Sequence, residues 1–221
     1  MIATFLFFIC SRSRYKPGII SKVYDSHIIN IYASGSSSQH INGSLQLTKP
    51  EYAIYPWNKR YDWCSNFYRS YDEHPYITFN LKNKKFKING YFIRCGCCYN
   101  GCCCEGEDLG CHDCCLFSWS LQISDDNKTW TDIHKIEKDY DMRYCDEKEY
   151  NLDKYYVGRY LRIIQNEACP GNPPCIALNK LEFFGEVLND DFSQNEEDFV
   201  SYHDDDDDVS IIGHISKNNA A

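Results

Sequence analysis

A strand–turn–strand pattern runs through FSWSLQISDDNKTWTDIHKI, residues 117–136. In its first half Trp119, Leu121 and Ile123 alternate with polar residues, which is the period of a strand buried on one face only. The Asp-Asp-Asn-Lys sequence that follows supplies a turn, because Asp and Asn side chains bond nearby backbone groups and tolerate left-handed geometry. A second β-prone segment begins at Thr129 and includes Trp130, Thr131 and Ile133. The pattern predicts a β-hairpin with a large apolar ring on each arm.

The rest of the chain contains further short β-prone segments. They are PYITFNL (75–81), FKINGYFIR (86–94), EYNL (149–152), RYLRII (159–164) and IALNKLEFFG (176–185). No segment shows the sustained apolar period of about 3.6 residues that an amphipathic helix needs. Many short strands separated by turn residues predict an all-β sandwich or barrel.

Charge divides the chain into a neutral body and an acidic tail. The net charge is −9, yet residues 188–221 contain ten acidic residues and one lysine and therefore account for −9 by themselves. Residues 1–187 contain 22 basic and 22 acidic residues. A neutral body argues against a nucleic-acid partner. The tail has few apolar residues, so we expect it to be disordered.

The first residues of the chain do not decide in which cellular compartment the protein resides. Residues 2–10 form an apolar run of nine residues, which is too short to span a bilayer, and no other segment approaches a transmembrane length. The run resembles the hydrophobic part of a signal peptide, but no basic residue precedes it and no clear cleavage site follows. Both a secreted or cell-surface location and a cytoplasmic one therefore remain open.

Aromatic residues are concentrated between residues 39 and 74, which we expect to be a long loop-like region. Trp57 and Trp63 lie in it, together with Arg60 and His40. Exposed Trp or Tyr rings beside Arg and His provide the stacking and hydrogen bonding that a sugar-binding or protein-binding surface needs. The alternative is that most of these rings close the end of the hydrophobic core.

The order of PYITFNL, INGYFIR, FSWSLQISDDNKTW, RYLRIIQ and LNKLEFFG resembles the discoidin family, also called the coagulation factor 5/8 type C family. The resemblance covers about residues 31–187. It implies a galactose-binding-like jelly-roll β-sandwich whose end loops meet glycans, phospholipid headgroups or proteins, and which is not catalytic. Residues 1–30 would then be an N-terminal extension and residues 188–221 the disordered tail.

The same resemblance makes residues 95–115, CGCCYNGCCCEGEDLGCHDCC, one of the projecting ligand loops. We name this segment the Cys loop. It contains Cys95, Cys97, Cys98, Cys102, Cys103, Cys104, Cys111, Cys114 and Cys115. In a secreted protein these cysteines would form disulfides, which a long loop without its own core needs. In a cytosolic protein some of them could bind zinc with His112, or they could be reduced thiols that pack as small hydrophobic residues.

Two other cysteine positions bear on the pairing. The Cys loop has an odd number of cysteines, so complete pairing would require a partner from elsewhere, and Cys64 is the candidate. Cys169 and Cys175 enclose a short loop that contains three prolines. We expect that one disulfide could close this loop.

Carbohydrate-binding members of the discoidin-like group often hold calcium on a loop that corresponds to residues 53–63. Tyr55 and Pro56 stand where that pattern has Asp and Gly, and Lys59 and Arg60 oppose a hard cation. We therefore do not expect calcium, although carboxylates remain nearby. These carboxylates belong to Asp62 and Glu182.

The motifs of common hydrolases, nucleotide-binding proteins and metalloproteases are missing from the sequence. The first hypothesis is therefore a non-catalytic module that binds a glycan through aromatic and Arg loops. The candidate contacts are His40, Trp57, Arg60, Trp63, His112 and Asn172. The alternative is an intracellular protein–protein interaction domain. A phospholipid ligand is disfavoured, because the loops lack a strong basic set and exposed aliphatic residues.

Overall fold

The computed structural model describes residues 16–190 except 60, 67, 69, 97 and 99–113. The described elements are α1 (Ile19–Val23), β1 (Asn30–Ala33), β2 (Ser38–Ile41), β3 (Ser44–Leu47), β4 (Trp63–Cys64), β5 (Tyr76–Asn80), β6 (Lys84–Cys95), β7 (Ser118–Ser124), β8 (Thr131–Ile136), β9 (Glu147–Gly158), β10 (Tyr160–Glu167) and β11 (Ala177–Asn189). Short 3₁₀ helices occupy Tyr24–Ser26 and Pro50–Ile54. The apolar run and residues 191–221 of the acidic tail lie outside the described residues, whereas Leu188 and Asn189, the first two residues of the predicted tail, belong to β11.

Two antiparallel sheets form the body. The larger has the order β1-β5-β10-β7-β8, the smaller has the order β4-β11-β6-β9, and β2 and β3 form a separate hairpin. Buried residues of both sheets form one core, including Phe79, Phe86, Trp119, Leu161 and Phe183. The predicted all-β sandwich is confirmed. No helix among the described residues has the length and apolar character needed to cross a membrane.

The predicted hairpin is formed by β7 and β8, with Leu121 opposite His134. Asp126 organises its turn, because this carboxylate accepts hydrogen bonds from the backbone N–H groups of Lys128 and Thr129 at 2.8 and 2.7 Å. These bonds lower the pKa of Asp126. Only one of the two predicted rings is an apolar anchor: Trp119 is fully buried, whereas the Trp130 ring lies under the Arg162 guanidinium.

Strand directions place the long loops at one end of the sandwich, which we name the loop end. Of the described residues it carries 34–59, 61–62, 65–66, 68, 70–75, 96, 98, 114–117, 137–146 and 168–176, whereas tight turns close the opposite end. Disulfides join these loops: Cys98 pairs with Cys145, Cys114 with Cys175 and Cys115 with Cys169. Cys64 is disulfide-bonded as well.

The Cys loop is thus held by disulfides at Cys98, Cys114 and Cys115, which removes these residues as zinc ligands or free thiols. Cys95 is buried in the core. The remaining five cysteines of the loop, Cys97, Cys102, Cys103, Cys104 and Cys111, lie outside the described residues.

The structure differs from the predicted Cys169–Cys175 disulfide, since each of these cysteines pairs with one end of the Cys loop. The buried Gln165 explains the difference. Its amide nitrogen donates to the carbonyl oxygens of Cys115 and Cys175 at 2.7 and 2.9 Å. This bridge holds the segment before β7 against the segment before β11, so the cysteines of one segment face those of the other.

Removal of the Cys98–Cys145 disulfide should destabilise the fold. Its sequence separation is 47 residues, for which the chain-entropy model gives a stabilisation of about 4 kcal/mol. We expect Cys98→Ser/Cys145→Ser to lower the free energy of unfolding by up to about that amount in urea titrations. Equal unfolding free energies for the double variant and the wild type would contradict the disulfide.

A partly buried histidine contact gives the sandwich a pH-dependent element. The Tyr91 hydroxyl lies 2.7 Å from His134 Nδ1, and burial lowers the pKa of His134. In a neutral imidazole Nδ1 can accept a hydrogen bond from the Tyr91 hydroxyl. In an imidazolium Nδ1 carries a proton of its own and can no longer accept this bond. The folded state therefore favours neutral His134.

Acidification should cost stability through this contact. Because the pKa of His134 is lowered on folding, the unfolded chain takes up a proton first as pH falls below about 6.5. The unfolding free energy should decrease between pH 7.5 and 5.5, and His134→Gln should weaken that dependence. His40→Gln, on the exposed hairpin, is the matched control. An unchanged pH dependence in His134→Gln would refute the assignment.

Candidate functional site

An exposed tryptophan is the most prominent feature of the segment between the 3₁₀ helix Pro50–Ile54 and β4. Trp57 is 50% exposed. One face of its ring stacks on Tyr55, with centroids 4.6 Å apart and planes 19° apart. Tyr24 meets both rings edge-on, at 5.5 Å from Trp57 and 5.9 Å from Tyr55. The tryptophan is therefore held in place from one side while half of its surface stays in solvent.

Further tyrosines support this stack from below. The Tyr52 ring lies 5.7 Å from Tyr55 and 4.4 Å from Tyr61. We name the set Tyr24, Tyr52, Tyr55, Trp57 and Tyr61 the aromatic platform. Burial raises the pKa of Tyr55 to about 12, so its hydroxyl stays protonated at physiological pH.

A buried lysine anchors the same segment to the sheet. The Lys59 ammonium donates to the carbonyl oxygen of Asn179 on β11 and lies 6.0 Å from the Tyr55 ring centroid. Burial lowers the pKa of Lys59 to about 7, an effect that nearby Asp62 opposes. Asp62 is itself held by the Asn179 amide at 2.7 Å.

Polar side chains cross the outer face of the smaller sheet beside the platform. Lys180 on β11, Arg94 on β6 and Glu147 on β9 are neighbours in register, and we name them the polar row. Arg94 Nε donates to Glu147 Oε2 at 2.6 Å. Asn58, next to Trp57 in the chain, accepts from Lys180 Nζ at 3.4 Å and from Arg94 Nη1 at 3.5 Å. Platform and row are thus contiguous: Lys180 is buried and supports Asn58, whereas the Arg94 and Glu147 side chains are partly exposed.

The structure distributes the six predicted contacts over different places. Trp57 is in the aromatic platform, His40 is exposed on β2, and Asn172 is partly buried in the loop after β10. Trp63 does not fit the predicted role of a ligand contact, because it is fully buried and its indole nitrogen donates to Ser36 Oγ at 3.0 Å. Pairing of β4 with β11 places its ring in the core. Arg60 and His112 lie outside the described residues.

Sequence reasoning missed the polar row and Tyr24. A signal for Lys180 exists in IALNKLEFFG, where Lys180 and Glu182 occupy alternate positions and so share one face of the strand. Tyr24 carries no comparable signal, because it precedes the segment that resembles the family.

Comparison with solved structures identifies the fold. CBM32-3, a carbohydrate-binding module (CBM) from a family 31 glycoside hydrolase of Clostridium perfringens, has a TM-score of 0.50 at 15% identity. The match covers 73% of this chain and 94% of that one. CpGH89CBM32-5 of the same organism, in complex with GalNAc-beta-1,3-galactose, scores 0.49 at 14% identity, with coverages of 71% and 95%. The family 32 CBM of C. perfringens NanJ, in complex with galactose, scores 0.48 at 12% identity, with coverages of 70% and 92%.

The chain therefore has the galactose-binding-like jelly-roll fold. The predicted fold class is thereby confirmed. The resemblance to the discoidin family is supported only at the level of the fold, because CBM32 modules and discoidin domains share this fold. No protein-family model matches the sequence. No curated protein matches it either.

The residues near β11 do not fit a calcium site. Glu182 accepts hydrogen bonds from the backbone N–H groups of Ile20 and Ser21 at 2.7 and 3.0 Å, and from the Ser21 hydroxyl at 2.6 Å. Its oxygens thus cap α1, and the Lys59 ammonium lies beside Asp62, the other carboxylate considered. The described part of the chain contains no group of three metal-binding side chains. The zinc hypothesis depends largely on residues outside that part.

Lys59 should make stability depend on pH above neutrality. Its pKa is about 7 in the folded state and about 10.4 when unfolded, so the unfolded chain holds one more proton between these values. The unfolding free energy should therefore rise with pH from 7 to 9, by up to about 1.4 kcal/mol per pH unit from this group. Lys59→Met should flatten the rise in urea titrations, and Lys128→Met, at an exposed turn, should not. A rise of equal slope in Lys59→Met would contradict the assignment.

Proposed function

We propose that the chain is a non-catalytic carbohydrate-binding module whose ligand stacks on Trp57. The observation that carries the proposal is an exposed indole ring, fixed on one face by Tyr55 and at its edge by Tyr24. The apolar face of a pyranose ring can lie on such a surface without ordering the protein further. The galactose-binding-like fold supports the same conclusion.

Polar groups beside the ring would orient the sugar. Asn58 is exposed and adjacent to Trp57, and it contacts Arg94, whose other side is paired with Glu147. Binding sites of this kind combine an apolar surface with a few polar groups that fix orientation. Because Arg94 and Glu147 neutralise each other, we expect a neutral sugar to be preferred over a charged one.

The same contacts favour binding over catalysis. Glycoside hydrolysis needs two carboxyl groups on either side of the scissile bond, one of them able to donate a proton. Two carboxylates near the platform are already engaged: Glu147 is paired with Arg94, and Asp62 is bonded to Asn179. Neither is arranged as a proton donor to a ligand on Trp57.

A protein ligand is the second candidate, favoured by one observation. Leu45 and Leu47, two residues apart on β3, are 58% and 64% exposed. They therefore lie on the same side of the β2–β3 hairpin. Two adjacent exposed leucines suit a protein surface better than a sugar.

Glycan binding should depend on Trp57. We expect Trp57→Ala to lower affinity at least tenfold on an immobilised panel that includes galactose, N-acetylgalactosamine and glucosamine oligosaccharides, which corresponds to about 1.4 kcal/mol or more. Tyr71→Ala, which removes an exposed ring from a different loop at the loop end, is the control and should bind as the wild type does. No binding to any glycan, or equal binding by Trp57→Ala, would refute the proposal and favour the protein ligand.

A further inference from the structure

A second exposed ring lies close to the far end of the polar row. Tyr144 is 53% exposed and precedes Glu147, the last member of the row, by three residues. The Arg143 guanidinium lies 5.6 Å from the Tyr144 ring centroid. The aromatic platform lies next to the opposite end of the row, because Asn58 contacts Lys180 there. One end of the row thus lies beside Asn58 and Trp57, and its other end is Glu147, three residues along the chain from Tyr144.

The backbone around Tyr144 is fixed in an uncommon conformation. Tyr144 and Cys145 have φ values of 52° and 67°, the left-handed region that residues other than glycine seldom adopt. Such conformations persist only where the surroundings determine them. Here Cys145 is bonded to Cys98, its N–H donates to the carbonyl oxygen of Gly96 at 2.8 Å, and Met142 is fully buried.

Between the two rings the row offers both hydrogen-bond donors and acceptors. Arg94 Nε and Nη2 both contact Oε2 of Glu147, and no described residue donates to the other carboxylate oxygen, Oε1. The side-chain oxygen of Asn58 accepts hydrogen bonds from Lys180 and Arg94. Its amide nitrogen can therefore donate to an oxygen of a ligand. Hydroxyl groups of a sugar can both donate and accept, so they can satisfy either kind of group.

The row is also longer than one sugar ring. It crosses three adjacent strands, β11, β6 and β9, which places its ends about 10 Å apart. A monosaccharide stacked on Trp57 would leave Glu147 and Tyr144 without a contact. A linear oligosaccharide laid along the row would meet all of these groups.

We propose that the polar row is the floor of an extended site for a neutral oligosaccharide. One sugar unit would stack on Trp57, and another unit further along the same oligosaccharide would contact Tyr144. The inference rests on the proposed function, which it deepens by naming the length of the ligand. The disulfide at Cys145 and the left-handed backbone then have a role in binding, since they hold the second ring in place before the ligand arrives.

Calorimetric titration with ligands of increasing length tests this inference. The probes are galactose, lactose and lacto-N-neotetraose, and in parallel the N-acetylated, uncharged series N-acetylglucosamine, diacetylchitobiose and tetraacetylchitotetraose. We expect a tetrasaccharide to bind at least tenfold more tightly than the monosaccharide of its series. Tyr144→Asn should remove most of that gain and leave monosaccharide affinity unchanged. Asn is chosen because it tolerates the left-handed backbone at this position.

One control variant and one further test variant separate the possible outcomes. Tyr155→Asn removes a ring of nearly equal exposure, 54%, from the other end of β9 and should leave both affinities unchanged. Glu147→Gln, which keeps the size of the side chain, should also reduce the gain with length. Trp57-dependent binding with equal affinity for all lengths would overturn the extended site alone. If no probe bound in a Trp57-dependent manner, the extended site and the proposed function would both be overturned.

Discussion

A buried carboxylate on β11 determines how the outer face of the smaller sheet is covered. Glu182 is fully buried, and a carboxylate removed from water is tolerated only when donors surround it. The N–H groups of Ile20 and Ser21 supply them, so the start of α1 is fixed against the sheet. Gly18 makes the approach feasible, because a Cβ atom there would lie 2.2 Å from the carbonyl oxygen of Phe183.

The candidate site follows from this contact. Once α1 is fixed, Tyr24 directly after it lies against Tyr55 and Trp57. Lys59 holds the other side of the same segment through Asn179, on the same strand as Glu182. Two buried ionisable side chains, Glu182 and Lys59, therefore fix two separate segments of the chain against β11, and the aromatic platform forms where these segments meet.

Local sequence patterns predicted the sandwich but only part of the site. Alternation and turn chemistry are properties of neighbouring residues, so the hairpin of β7 and β8 could be read directly from residues 117–136. Trp57 and Trp63 have similar local surroundings, and only the pairing of β4 with β11 decides that Trp63 enters the core. Cysteine pairing is equally non-local, since Gln165 holds the segment before β7 against the segment before β11, and the disulfides form between these two segments.

The disulfides show why the two ends of the sandwich differ. Tight turns at one end need no further support, because side chains such as Asp126 satisfy their backbone groups. The loop end carries long segments with little core of their own, and there disulfides tie the Cys loop to the loops before β9 and after β10. A sugar offers few strong contacts, so a site that ordered its loops on binding would lose much of the gain as conformational entropy. Loops that disulfides fix before the ligand arrives avoid that loss. This is the physical reason to associate the binding surface with the loop end rather than with the end that tight turns close.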